Sequence, residues 1–486
     1  MIMIYDVAII GAGASGGSVA YQLSHYDLKT ILLEKCCDAA FGVSKANSGI
    51  VHGGFHHPTT SLKAKLEVES IAKFDALKAE LHFPFERCGI IVCAYSGEEL
   101  EVCRKLYDQG IANGISNLQW CSREEMLALE PKLNSRITGG FFAPDGGVIE
   151  PYTYVQRLVE SASKNGVDCG FDFKVVKGVF ADGVWTVTDA DGREIKARYV
   201  VNAAGLYADA VSRCCGAEEF TISPRKGEEY LLDRESPAKP NHVVFPVPTK
   251  HSKGVLVIPT VGGTTMIGPT ADVVEEKTDD FTTAENFSRI LKLVDPMISG
   301  INPRDVINSF SGLRPVILEQ EDFYIAPSEK VANFIQAAGI QSPGLTASPA
   351  IGEYITSLLE KSGLTLKKKT TPRIHLKEQL ECRKRSAAEL AELHDSTPGA
   401  TDWVCRCEKI SEAEIVEAVR AGHTTLDGVK FYTRSGMGRC QGGFCSARIM
   451  RIIARESGIP LTELTKRGGN SYLLAGKLGD LEVKGI

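Results

Sequence analysis

Two groups of residues in this 486-residue chain have the types and spacing to do chemistry. The first is Gly11-Ala12-Gly13-Ala14-Ser15-Gly16, directly after the apolar run Tyr5–Ile10 and ahead of a helical stretch, Ser18–Leu23. Gly11 permits a tight turn, Gly13 lets backbone amides approach a pyrophosphate, and Gly16 lets helix and strand pack closely. The helix N-terminus adds positive potential. A second apolar run, Thr30–Leu33, ends at Glu34 and Lys35, and Glu34 is placed to accept hydrogen bonds from ribose hydroxyls. Strand, glycine loop, helix, strand and acid together point to dinucleotide binding, with a plain glycine-rich turn as the alternative.

The second group is Cys405-Arg406-Cys407 and, after 32 intervening residues, Cys440-Gln441-Gly442-Gly443-Phe444-Cys445. Two close pairs of thiols are metal-site spacing, because the thiolates must converge on one centre. Between them, Ser411 with Glu414 forms a capping box opening a helix over 412–421, closed by Gly422. Gly436, Gly438, Gly442 and Gly443 provide a loop whose amides can point at sulfur. Cys445 opens a basic helix over 446–456, whose dipole favours thiolate charge. The Cys-x-Cys pair with a remote Cys-x4-Cys departs both from the two-residue gaps of zinc fingers and from plant-type ferredoxin spacing, leaving zinc and iron–sulfur open.

The elements that must hold these residues belong to an α/β protein. Hydrophobic residues make up 43% and charged residues 24%, with 47 glycines, which excludes disordered and collagen-like classes. A net charge of -6 offers no bulk attraction for nucleic acid or an anionic membrane. No apolar stretch is long enough to span a bilayer, and no basic leader precedes the first strand. A cytoplasmic setting is therefore expected, in which the 14 cysteines are reduced thiols or metal ligands rather than disulfides. Two further strands, 198–202 and 333–336, run into Ala203-Ala204-Gly205 and Ala337-Ala338-Gly339, placing small residues where ligands collect in an open α/β sheet. The expected division is a discontinuous nucleotide domain at 1–80, 140–220 and 315–365, and a mixed-sheet substrate domain at 81–139 and 221–314. A linker with a helix (378–394) covers 366–400, a small helical metal domain covers 401–460, and a tail covers 461–486.

Asn47-Ser48-Gly49-Ile50-Val51-His52-Gly53-Gly54, Ser61-Leu62-Lys63-Ala64-Lys65, Ala204-Gly205, Gly312-Leu313-Arg314-Pro315 and Gly344-Leu345-Thr346 resemble the D-amino-acid oxidase superfamily over roughly 1–365. Within it they are most like FAD-dependent glycerol-3-phosphate and L-2-hydroxyglutarate dehydrogenases. Residues 403–456 resemble the bacterioferritin-associated ferredoxin-like [2Fe–2S] domain, which implies iron–sulfur at Cys405, Cys407, Cys440 and Cys445. The resemblance implies FAD in the amino-terminal motif, with Asn47 and Ser48 beside the isoalloxazine ring and Gly344, Leu345 and Thr346 at its pyrimidine end. Val175, Ala204, Gly205, Gly312 and Gly339 join the cofactor-binding set. Ser348 reads as an N-cap, with Pro349 in the first turn of the following helix.

By resemblance, Arg314 holds the substrate's carboxylate or phosphate, with a domain-interface salt bridge as the alternative. His52 is a candidate for flavin contact or for taking the proton of the substrate hydroxyl. Glycerol-3-phosphate enzymes typically have Arg-Tyr, and 2-hydroxyglutarate enzymes two tyrosines, where this chain has His56-His57, so it departs from both patterns there. His56, with His57, is a candidate for polar contact to the anion or for a base, with a solvated loop as the alternative. Lys226, His251 and Lys253 are further candidate cations of the pocket. The expected function is oxidation of a small anionic secondary alcohol, glycerol 3-phosphate first and a 2-hydroxy acid second. Hydride would pass to flavin N5 and electrons would leave through the cluster to a partner redox protein. An amine or imino-acid oxidase subunit, or a flavin-free assembly protein with structural zinc, stands as the rival, and the oligomeric state is left open.

Overall fold

A computed structural model describes residues 3–248, 254–371 and 373–477. The chain divides into two compact units, Met1–Lys35 with Ala39–Leu376, and Cys36–Asp38 with Lys377–Ile486.

Among the described residues the larger unit is built on two large sheets, with a three-stranded one of Ile50–Val51, Gly147–Ile149 and Phe85–Glu86 besides. One has eight strands, in which Ile4–Ile10 lies parallel between Thr30–Leu33 and Glu194–Asn202, while Val167–Gly170 and Phe334–Ala338 extend it, also in parallel. Val7 and Ile9 point into one apolar cluster and Ala8 and Ile10 into another. A strand covered on both faces needs an unbroken apolar run, which is why this segment carries no polar alternation. Helices Ala14–Leu23, Pro151–Lys164 and Gly344–Lys361 supply Val19, Val159 and Ile351 to the first cluster. Gly352 makes the close crossing with the first helix possible, since a Cβ there would stand 2.6 Å from the Ser18 carbonyl oxygen.

The second sheet has nine strands, in which Ile222–Leu232 pairs along its whole length with Val306–Ile317. Gly139–Ala143 and the end of Val306–Ile317 are strands of this sheet, so the expected crossings into the nucleotide part at 140 and 315 are set too early. Which sheet a strand joins is decided by partners remote in sequence, and its composition does not record them.

The helix Gly344–Lys361 begins before Ser348, correcting the expected cap. Pro349 sits inside the helix and cannot donate to the Leu345 carbonyl; the Ser348 hydroxyl donates there instead, at 2.8 Å. The smaller unit packs Glu412–Arg420, Leu426–Thr433 and Ser446–Ser457 around Ile415, Val429 and Ile453. It takes in residues 377–400, expected as linker, and the start of the expected tail, where Leu464 joins the core and Lys466 pairs with Asp427 at 2.7 Å. The helix expected at 378–394 is Ala387–Ser396, started by a capping box between Ser386 and Glu389 that is legible in the sequence. Among the described residues no helix is long and apolar enough to cross a membrane.

Candidate active site and cysteine centre

The glycine loop has the shape a dinucleotide requires. Gly11 has φ +109°, and a Cβ there would lie 2.4 Å from the Ala203 carbonyl oxygen. At Gly16 a Cβ would lie 1.8 Å from the Gly11 oxygen, so the helix can start this close to the strand only with glycine. Gly13 is the N-cap of Ala14–Leu23 and has no side chain to cap it, which leaves first-turn amides other than that of Ala14 to a phosphate. The Ala12 amide donates to Glu34 Oε2 at 2.8 Å, setting Glu34 beside the loop. Lys35 Nζ lies 3.5 Å over the Tyr207 ring. Ser44, which the sequence reading passed over, accepts from the Ala14 amide at 2.9 Å; a serine in a loop gives no local signal of this. Ala204 donates to Asn202 Oδ1 at 3.3 Å ahead of Gly205, with φ +54°. Ala14 and Ser15 form the first turn of the helix, and Val175 opens an edge strand with its side chain in the apolar cluster of Ile31 and Leu33.

The 47–54 segment is fixed from several sides. Asn47 donates to the Ser44 carbonyl at 2.9 Å and accepts from the Gly49 amide at 2.9 Å, which folds the loop on itself. Gly312 backs onto this loop, since a Cβ there would stand 2.0 Å from the Ala46 oxygen. Thr346 Oγ1 accepts from the His52 amide at 3.0 Å and donates to the Ile50 carbonyl at 3.2 Å, clamping the loop to the helix that Gly344 opens. Gly344 is buried, Leu345 is half-buried, and Gly339, with φ +65°, turns the chain after its strand. His52 is buried, with Nε2 3.3 Å from Ser342 Oγ and its ring 5.9 Å from that of His56. The His56 ring is 4.4 Å from Phe55 and 5.4 Å from Phe245. The Ser61–Lys65 match is a helix start: Ser61 caps Leu62–Ile71, and Asp322 accepts from the Leu62 and Lys63 amides.

Arg314 is held on the second sheet with Nη1 donating to the Thr270 carbonyl at 3.2 Å. Its guanidinium lies over Gly227, where a Cβ would stand 2.6 Å from Nη2. Burial lowers its pKa and Arg225 adds to that, while Glu229 and Asp272 work in the opposite sense. Glu229 is a residue that sequence reasoning missed. It is buried, accepts the Ser48 hydroxyl, and has its pKa raised to about 7 by burial, partly offset by Ser48 and Arg314. Alternation along Ile222–Leu232 puts Lys226 on the opposite face from Gly227 and Glu229, where it pairs with Asp279 at 2.8 Å; it is not brought to Arg314. His251 and Lys253 lie outside the described residues.

In the smaller unit Cys407 Sγ is 3.7 Å from Cys440 Sγ, and Cys445 hydrogen-bonds to Cys405, holding that thiol down to about 6. The Gly436 amide donates to Cys405 Sγ at 3.5 Å, and at Gly438 a Cβ would stand 2.3 Å from Cys407 Cβ. Among the described residues no three such donors close around a single ion. The thiols lie as two close pairs, an all-thiolate donor set that would fit a [2Fe–2S] cluster. Cys93 and Cys103, by contrast, are core thiols whose pKa values burial raises, Cys103 to about 12.

Residues 6–358 match the family described as FAD dependent oxidoreductase (DAO), and residues 403–455 match the BFD-like [2Fe-2S] binding domain. A glycerol 3-phosphate dehydrogenase of Caloramator mitchellensis is 39% identical over 97% of this chain and 98% of its own. A glycerol 3-phosphate oxidase of Mycoplasma pneumoniae is 32% identical over 73% of this chain and 94% of its own. The solved structure of dithionite-reduced L-α-glycerophosphate oxidase from the same organism, with FAD bound, superimposes with a TM-score of 0.73 over 76% of this chain and 98% of that one, at 31% identity. An L-2-hydroxyglutarate dehydrogenase of Escherichia coli is 29% identical over 55% of this chain and 64% of its own. The chain belongs to the DAO family of FAD-dependent oxidoreductases and carries a BFD-like [2Fe–2S] domain at its carboxyl end.

Proposed function

We propose that the protein is a cytoplasmic dehydrogenase that oxidises glycerol 3-phosphate to dihydroxyacetone phosphate and passes the electrons to a partner redox protein. The observation that carries this reading is the 39% identity to a glycerol 3-phosphate dehydrogenase along almost the whole of both chains, cysteine domain included. When bound, FAD supplies the hydride acceptor and the cluster a one-electron exit. Gly11, Gly13, Gly16 and the first turn of Ala14–Leu23 hold the pyrophosphate, and Glu34 the ribose. Asn47, Ser48 and the amino end of Gly344–Lys361 frame the ring. Arg314 binds the phosphate with its planar fork, and His52 takes the proton released as the substrate's secondary hydroxyl becomes a carbonyl. His56 and His57 stand where the related enzymes carry other side chains, and they make the polar rim of the pocket.

Anaerobic mixing of the holoenzyme with glycerol 3-phosphate, L-2-hydroxyglutarate, lactate, glycine and proline tests this. Flavin absorbance is expected to bleach with glycerol 3-phosphate; bleaching by an amino acid alone would reject the reading in favour of an amine oxidase.

A further inference from the structure

Glu229 lies on Ile222–Leu232, 2% exposed, on the face it shares with Arg225 and Gly227 of its own strand and with Gly312 and Arg314 of the next. Its Oε1 accepts the Ser48 hydroxyl. Its Oε2 is inaccessible to solvent and has no hydrogen-bond partner among the described residues. The guanidinium of Arg314 lies over Gly227, two residues along the same face, and its charge acts on the Glu229 carboxyl. A buried carboxylate with one oxygen unspent is costly unless that oxygen meets a proton or a ligand donor.

Among the described residues the charged groups around it are few. Arg314 comes from Val306–Ile317, with Arg225 on Glu229's own strand and Asp272 on the edge strand acting on that arginine. The strand Thr265–Gly268 presents Gly268, whose Cβ position is 3.0 Å from Glu229 Cγ, and the cross-strand neighbour is Phe310. The loop side contributes Ser48, which is neutral. Among the described residues Arg314 is therefore the cation that a Glu229 carboxylate and an incoming phosphate would have to share.

We infer that Glu229 couples proton uptake to anion capture: ionised beside Arg314 before binding, it takes one proton from solvent when a phosphate-bearing ligand engages that arginine. The carboxylate becomes a carboxylic acid, no bond forms to the ligand, and no electron moves. A second anion brought against the same guanidinium in a buried site favours the neutral carboxyl, and Oε2–H then becomes a donor to a ligand oxygen. Burial has already lifted the group to about 7, so the proton is available near neutral pH. The inference rests on the reading that Arg314 holds the substrate's anion.

The test uses the oxidised holoenzyme and dihydroxyacetone phosphate, which binds without turnover. Calorimetric titrations in buffers of different ionisation enthalpy, between about pH 7.5 and about pH 9, keep the ligand's phosphate dianionic, since its second pKa is about 6. Wild type is expected to take up about one proton per ligand, with Kd weakening about tenfold per pH unit. Glu229→Gln is expected to bind with no uptake and a flat profile. Binding by wild type with no proton uptake, which needs no variant to fold, overturns the inference, as does the same uptake in Glu229→Gln. Arg314→Met separates the two ideas: wild-type affinity in that variant refutes the substrate reading itself. Capture of 2-oxoglutarate in place of dihydroxyacetone phosphate, with the same proton uptake, would refute the glycerol 3-phosphate reading and leave the coupling standing.

Discussion

Replacing Gly312 by alanine tests how the 47–54 loop is held. The glycine has no positive φ, so an alanine meets no backbone strain there, and on conformational entropy alone it would gain about 0.5–1 kcal/mol. The space is the obstacle. The new methyl would stand 2.0 Å from the Ala46 carbonyl oxygen, where ordinary contact begins at 3.4 Å, so the two backbones must part by 3.4 − 2.0 = 1.4 Å. Neither yields easily: Gly312 is paired opposite Gly227 in the middle of a long antiparallel ladder, and Ala46 leads into the self-bonded Asn47 turn. Overpacking of this kind costs about 1–3 kcal/mol, and a clash with backbone on both sides belongs at the upper end, leaving a net loss of about 2 kcal/mol after the entropic gain. Because the displaced carbonyl adjoins Asn47 and Ser48, FAD affinity should fall about tenfold for each 1.4 kcal/mol transmitted to the loop. Urea unfolding of the apoprotein, with flavin fluorescence titrated on refilling, measures both. Gly97→Ala serves as control: it opens the helix Gly97–Ala112 with nothing within 4 Å and should gain about 0.5–1 kcal/mol. A Gly312→Ala protein as stable as wild type, with unchanged FAD affinity, would refute the close-approach argument.

Two further outcomes follow from the smaller unit. Cys407→Ser should leave anaerobic flavin bleaching by substrate largely intact while stopping electron passage to an external one-electron acceptor; undiminished passage removes the cluster from the route. Glu414, buried in the capping box of Glu412–Arg420, has its pKa raised to about 7, chiefly by burial, so the folded chain binds its proton more tightly than the unfolded chain. Its stabilising share is complete below about pH 4.5 and is lost as pH rises through about 7, by up to about 3 kcal/mol. The calorimetric transition of this unit should fall in temperature across that window, and a slope unchanged in Glu414→Gln would exclude Glu414 as its source.

The local chemistry of this protein was legible along the chain. Gly11, Gly13, Gly16 and Glu34 are spaced by one strand, one turn and one helix, so their roles follow from short-range geometry. The capping box at Ser411 and the paired cysteines likewise lie within a few residues of what they organise. Resemblance carried Arg314, Gly312 and Thr346 into the site, and the structure supplied their contacts. The amino acids by themselves therefore pointed to an FAD-binding fold and a BFD-like [2Fe–2S] domain and to where each lies in the chain. Only the tertiary structure decided that Ser44 braces the glycine loop, that Lys226 turns away to Asp279, and that Glu229 shares a sheet face with Arg314 and accepts from Ser48. Those outcomes depend on strand register. A one-residue change in alternation reverses which face a side chain occupies, and in the long pairing of Ile222–Leu232 with Val306–Ile317 that register is set by partners some 85 residues away.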